Sequence, residues 1–140
     1  DGDLRQSQVD NFIRTSRPVS GLQQCLQDEL DMASTIQPDI IENLSVMFAG
    51  GTPSNAQELL ASDRFAGLID RSLRDYDLTI IDTPPANLCA DSRRISTVAG
   101  YSLIVAKRHE SFVEDIKALS AQLIEDRAHV VGTVMNEARP

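Results

Sequence analysis

The chain has 140 residues, 41% of them hydrophobic and 24% charged, enough for one ordinary globular domain with a real core. Its formal charge of −8 argues against a sequence-independent nucleic-acid surface, which needs clustered Lys and Arg to displace counterions, and there is no zinc-finger, RNP or basic-arm pattern. No run of about 18 apolar residues could span a membrane, no basic-then-apolar leader is visible, and Cys25 and Cys89 lack CxxC spacing, so two buried thiols in a reducing cytoplasm are expected.

In chain order, the first feature is "DGDLR" at positions 1 to 5. Asp1 and Asp3 flank Gly2, and converging carboxylates repel unless a divalent cation or a proton intervenes. Taken alone, the five residues read as a frayed, solvated terminus. A short helix is expected around Gly21 to Leu30, where Leu22, Cys25, Leu26 and Leu30 line up. Residues 31–42, with Pro38 inside, show no clear period and are expected to be a loop with at most a short edge strand.

Four apolar runs, short and rich in Val and Ile, suit strands buried on both faces: Leu44 to Gly50, Leu78 to Asp82, Tyr101 to Ala106 and His129 to Asn136. Between them lie helical patterns. Ser54 to Gln57 and Ser111 to Glu114 read as capping boxes. Apolar residues at Phe65, Leu68, Ile69 and Leu73 after Ser62, and at Phe112, Ile116, Leu119 and Leu123 after Ser111, each make one helical face. A further helix is expected from Asp91 to Ala99. The alternation of strand and helix predicts an α/β fold: one doubly wound, mainly parallel sheet with helices on both faces, covering 1–140 as a single domain.

In such sheets ligands bind beyond the carboxyl ends of the strands. "LTIIDTPP" ends an apolar strand on Asp82, the place from which a carboxylate can serve Mg²⁺ directly or through water. Thr83, Pro84 and Pro85 stiffen its exit. The plainer reading is a turn cap after a core strand. Gly50 and Gly51 are read as a structural turn rather than a phosphate loop, since GxxxxGK[ST] occurs nowhere in the chain. Asn136 closes the last strand with a side chain able to meet an adenine edge or simply to form a turn. His109 and His129 lack partners at ligand spacing, so no metal is assigned to them; packing is expected for Tyr76 and Tyr101.

The combination of "DGDLR", "SGLQQCL" at 20 to 26, "NLSVMFAGGTPSNAQELLASDRF" at 43 to 65, "YDLTIIDTPP" at 76 to 85, Asp91 and "VVGTVMN" at 130 to 136 resembles the bacterial tyrosine kinases of capsule and exopolysaccharide synthesis. These are relatives of the MinD/ParA group of deviant P-loop ATPases. The alanine and asparagine after "TPP", with "SLIVAKRHES", look especially like the kinases paired with exopolysaccharide chain-length determinants.

The resemblance implies a P-loop NTPase-like fold that uses ATP and Mg²⁺. It makes Asp1 and Asp3 the catalytic, metal-binding carboxylates of a Walker A′ motif, Asp82 the Walker B carboxylate, Asn136 a residue near the adenine, and Arg5 a member of the A′ motif. It further implies a membrane polysaccharide co-polymerase or chain-length determinant as partner, a homo-oligomer formed through the full-length kinase, and a cytoplasmic location at the inner face of the membrane, reached through that partner or another segment. The Walker A loop, the strand expected before the A′ carboxylates and a tyrosine-rich tail have no match here. The chain is therefore expected to be a fragment of an ATP-dependent tyrosine autokinase, inactive by itself. The alternatives are a MinD/ParA-like ATPase and a non-enzymatic α/β interaction module.

Overall fold

A computed structural model describes residues 1–13 and 20–137. Contacts within it gather the chain into two compact units, Asp1–Pro84 and Pro85–Pro140. The first contains helices α1 (Val9–Phe12), α2 (Leu22–Leu26) and α3 (Met32–Thr35), strands β1 (Ile36–Ile41) and β2 (Leu44–Met47), and helices α4 (Ala56–Leu60) and α5 (Asp63–Asp75). The second contains α6 (Asp91–Ala99), β3 (Tyr101–Lys107), α7 (Val113–Glu125) and β4 (His129–Asn136).

In the first unit, α5 begins where the Ser62 hydroxyl accepts from the Phe65 amide at 3.3 Å, which satisfies one of the donors a helix start leaves open. Phe65, Ile69 and Ser72 then recur on its buried side, the spacing of one helical face. Phe65 joins Leu4, Phe48 and Leu60 among the least exposed side chains of the chain.

Residues 31–42 are more ordered than their composition suggests. Asp31 caps α3 by accepting from the Ser34 amide at 2.7 Å, and β1 then pairs antiparallel with β2 through Ile36–Met47, Gln37–Val46 and Ile41–Leu44. The register slips between Gln37 and Ile41. Pro38, which has no amide to donate, falls in that slip, and Asp39 takes a φ of 50°. A proline tolerated at an irregularity explains how a strand survives where a loop was expected.

Two expected caps are not formed. Helix α4 starts at Asn55 without a side-chain cap. The Ser111 hydroxyl accepts instead from the Lys107 amide at 2.9 Å, so α7 starts uncapped after Phe112. A hydroxyl close to the end of a strand has a competing backbone donor, and here the competitor holds it. Helix α2 is also shorter than the expected Gly21 to Leu30. Both cysteines are free thiols and partly exposed rather than fully buried; desolvation still pushes the Cys25 thiol up, with a hydrogen bond from Thr35 opposing it.

The second unit is a β3-α7-β4 crossover preceded by α6. β3 and β4 pair in parallel from Tyr101–His129 to Lys107–Asn136, with one irregularity after Ser102. Ile104, Leu123 and Ala128 form its buried cluster, with Ile116, Leu119 and Val130 packed against it. Leu103 and Val105 face the other way and are exposed, as alternation along a strand requires. Tyr101 is also exposed and meets the His129 ring edge-on at 5.4 Å. The observed elements are those of an α/β protein, with a parallel pair in one unit and an antiparallel pair in the other.

A bidentate ion pair ties α6 to the end of α7: Arg93 Nε donates to Asp126 Oδ2 at 2.7 Å and Nη2 to Oδ1 at 2.9 Å. The hydrogen-bonded guanidinium holds the Asp126 carboxyl below the usual carboxylate range. A carboxyl depressed in the folded state contributes stability above its unfolded pKa and loses it as pH falls through the folded value. Acidification below about pH 4 is therefore expected to lower amide protection, relative to the intrinsic exchange rate at each pH, in α6 and α7 more in the wild type than in Arg93→Ala. Equal acid sensitivity of the two proteins would remove the pair from the stability of this unit.

Candidate functional site

Residues 1–6 form a tight knot of local hydrogen bonds at the end of β2. The Asp1 nitrogen donates to the Met47 carbonyl at 2.7 Å, and the Gly2 amide donates to the Asp82 carbonyl at 2.8 Å. Successive amides thus reach in opposite directions, to β2 on one side and to the end of "LTIID" on the other. Asp82, some eighty residues away in sequence, is brought beside the DGD triplet by this backbone bond.

The two acids of the triplet are held by their own chain. Asp1 Oδ1 accepts from the Asp3 amide at 3.0 Å, and Asp1 Oδ2 accepts from the Ser7 hydroxyl. Asp3 Oδ1 accepts from the amides of Arg5 at 2.9 Å and Gln6 at 2.8 Å, the short-range pattern aspartate uses at turns and helix starts. Asp3 is 7% exposed, and Leu4 beside it is 1% exposed, so the apolar anchor and the acid are seated together. The terminus is therefore not the frayed tip that the five residues alone allow. Ser7 was not anticipated from sequence, yet it holds the Asp1 carboxylate. Its only sequence signal is a hydroxyl a few residues beyond paired acids.

The next part of the site is the turn after β2. Leu22 and Gln23 of α2 donate their amides to the carbonyls of Phe48 at 2.7 Å and Ala49 at 2.9 Å. Gln24 Oε1 accepts from the Gly21 amide at 2.8 Å, and its Nε2 donates to the Gly50 carbonyl at 3.0 Å. Gly50 has a φ of 78°, a left-handed conformation that favours glycine. Gln24 thereby clasps two glycine-containing loops, a role the periodicity of Leu22, Cys25 and Leu26 does not disclose.

The expected strand at 78–82 is not observed. These residues have no ladder partner among the described residues, and Leu78 and Ile80 are exposed. An apolar run needs a neighbouring strand to form a ladder, and among the described residues the backbone bond to this one is that from Gly2. Asn136 ends β4 in the second unit, where its Oδ1 accepts from the Glu137 amide at 2.9 Å. Arg5 is exposed, and its amide is bound to Asp3.

Among the described residues no three His, Cys, Asp or Glu side chains converge tightly enough to form a metal-binding group. The oxygen donors of Asp1, Asp3 and Asp82 are nevertheless of the hard type Mg²⁺ prefers. That ion keeps several waters and takes only one or two carboxylates, so a converged triad is not required. Each Asp1 carboxylate oxygen keeps one acceptor site beyond its local donor, whereas Asp3 Oδ1 uses both of its sites on the Arg5 and Gln6 amides.

No family model matches the chain. It is 30% identical over 136 residues to the tyrosine-protein kinase Wzc of Salmonella typhimurium, covering 97% of this chain and 19% of that protein. It is 29% identical over 137 residues to the tyrosine-protein kinase CpsD of Streptococcus pneumoniae, covering 98% of this chain and 60% of that one. The chain thus spans about a fifth of the first relative and three fifths of the second. Its fold matches the kinase domain of the Escherichia coli tyrosine kinase ETK with a TM-score of 0.92 and 27% identity, over 100% of this chain and 55% of that one. In sequence and in fold alike, the chain is a homologue of bacterial tyrosine-protein kinases.

Proposed function

We propose that this chain is part of an ATP-dependent protein tyrosine autokinase that regulates exopolysaccharide or capsule polymerisation and export, with 1–140 as a segment of its kinase domain. The observation that carries this reading is the seat of Asp1–Gly2 between the Met47 and Asp82 carbonyls, which brings the backbone of the triplet beside that of Asp82. Kinship with Wzc and CpsD supports it.

On this reading Asp1, Asp3 and Asp82 hold Mg²⁺, Asp82 through water. The metal, when bound, offsets the charge that develops as the γ-phosphoryl group of ATP passes to a tyrosine hydroxyl. The chain's own contribution is positioning. Ser7 and the Asp3 amide keep the Asp1 carboxylate in one orientation, the Arg5 and Gln6 amides do the same for Asp3, and the buried Leu4 prevents the segment from lifting. Preorganised charge of this kind costs no rearrangement when the transition state forms. Arg5, exposed beside the acids, and Asn136 at the end of β4 are assigned to nucleotide binding.

The partner that fits this reading is a membrane polysaccharide co-polymerase, the assembly a homo-oligomer, and the location the inner face of the membrane. No helix among the described residues is long and apolar enough to cross a membrane, so attachment on this reading comes through the partner or another segment.

The test uses the protein extended upstream to include a phosphate-binding loop. Asp82→Asn is expected to weaken Mg²⁺-dependent ATP binding by about 10–100-fold, the range typical for loss of a group supporting a metal, and to abolish labelled phosphotyrosine. Unchanged affinity in the variant would count against the assignment. ATP hydrolysis by the wild type with no labelled tyrosine would point to a MinD/ParA-like ATPase.

A further inference from the structure

The chain carries two tyrosines, and their surroundings are unlike. Tyr101 is 70% exposed, against 38% for Tyr76. Its phenol oxygen has no hydrogen-bond partner among the described residues, and its ring meets the His129 ring only by an edge. Tyr76 instead closes α5, where its amide donates to the Ser72 carbonyl at 3.0 Å, and its side chain lines a cleft of the first unit. Tyr101 is the first residue of β3, and the ladder to β4 becomes irregular directly after Ser102. A strand start of this kind opens locally at low cost. Gly100 before it takes a left-handed φ of 80°, and a Cβ there would meet nothing within 4 Å, so the corner is unobstructed. The sequence neighbours Ala99, Gly100 and Ser102 are small and uncharged, whereas Tyr76 sits between Asp75 and Asp77. A site built on Asp1, Asp3 and Asp82 repels an acceptor flanked by acids, because like charges brought together disfavour a partner.

We propose, resting on the kinase reading given under the proposed function, that Tyr101 is a phosphate acceptor of this kinase, modified by a second copy of the chain. In the step, the phenol oxygen forms a bond to the γ-phosphorus of ATP. The bond from that phosphorus to the β–γ bridging oxygen breaks, its electron pair leaves with ADP, and the phenolic proton passes to solvent. Transfer between copies follows from the layout of the second unit. Asn136 pairs with Lys107, at the far end of β3 from Tyr101, about 20 Å away at the rise of a strand. With Asn136 at the nucleotide, a copy's own ATP is out of reach of its Tyr101. The phosphate, once attached, lies beside the His129 ring, which can donate a hydrogen bond to it.

The experiment uses the protein extended upstream to include a phosphate-binding loop, incubated with Mg²⁺ and ATP, with phosphate located by peptide mass spectrometry. Phosphate is expected on Tyr101 of the wild type, in greater yield than on Tyr76. To follow transfer between copies, an Asp82→Asn acceptor is mixed with a Tyr101→Phe donor. The acceptor is first shown to match the wild type in amide exchange of β3 and β4, so that its Tyr101 is presented by a folded unit. It is expected to gain phosphate on Tyr101 in the mixture and none when incubated alone. Phosphate on other tyrosines of the wild type but not on Tyr101, or a yield on Tyr76 above that on Tyr101, overturns this proposal and leaves the kinase reading standing. Absence of phosphotyrosine from the wild type altogether overturns both. Phosphate on Tyr101 of the wild type, with none on the acceptor in the mixture, overturns transfer between copies.

Discussion

Replacing Phe65 with alanine is expected to lower the stability of the Asp1–Pro84 unit by about 3–5 kcal/mol, the usual cost of emptying an aromatic site in a closed core. Phe65 is 1% exposed and lies in the first turn of α5, where its amide is held by Ser62. Urea denaturation followed by circular dichroism measures the loss. A loss below about 1 kcal/mol would mean that the site relaxes freely and that α5 is not part of the support for the site.

Gly21→Ala is expected to destabilise the same unit by about 3 kcal/mol, at the upper end of overpacking penalties. Gly21 is extended, so its conformation is open to any residue; the obstacle is proximity. A Cβ there would stand 2.0 Å from the Phe48 carbonyl oxygen and 2.9 Å from the Gly50 nitrogen. Both are backbone atoms that cannot swing aside. Relief requires α2 to withdraw, which breaks the Leu22–Phe48 and Gln23–Ala49 bonds and loosens the strand end on which Asp1 rests. The matched control is Gly67→Ala in the interior of α5, where a new Cβ meets nothing within 4 Å. That change is expected to stabilise by about 0.5–1 kcal/mol. Two glycine-to-alanine changes of opposite sign separate close approach from helix propensity, and a neutral Gly21→Ala would refute the packing argument.

Helices with a continuous apolar stripe were legible in the sequence. α5 follows Phe65 and Ile69, α6 spans Asp91–Ala99 as expected, and α7 follows Ile116, Leu119 and Leu123. β3 and β4 also fall where their Val and Ile runs lie. What was hidden depends on partners distant in sequence. Whether 78–82 becomes a ladder strand is decided by its neighbours, not by its own side chains, and β1 forms through Pro38 because β2 is available to pair with it. At the candidate site, Asp82 was visible as an acid closing an apolar run, and Asp1 and Asp3 as paired acids flanking Gly2. The resemblance to kinases linked the first two with the third, and the bond from Gly2 to Asp82 gives that link a physical form. Ser7 and Gln24 escaped notice because hydroxyls and amides near turns are common, and only the coordinates distinguish one that holds a carboxylate from one that faces solvent.

The alternating bonds of Asp1 and Gly2 also have a mechanical meaning. Asp1 to Met47 and Gly2 to Asp82 are anchors on adjacent residues, so no slack chain lies between them, and a displacement of either the end of β2 or residue 82 is passed to the triplet instead of being absorbed.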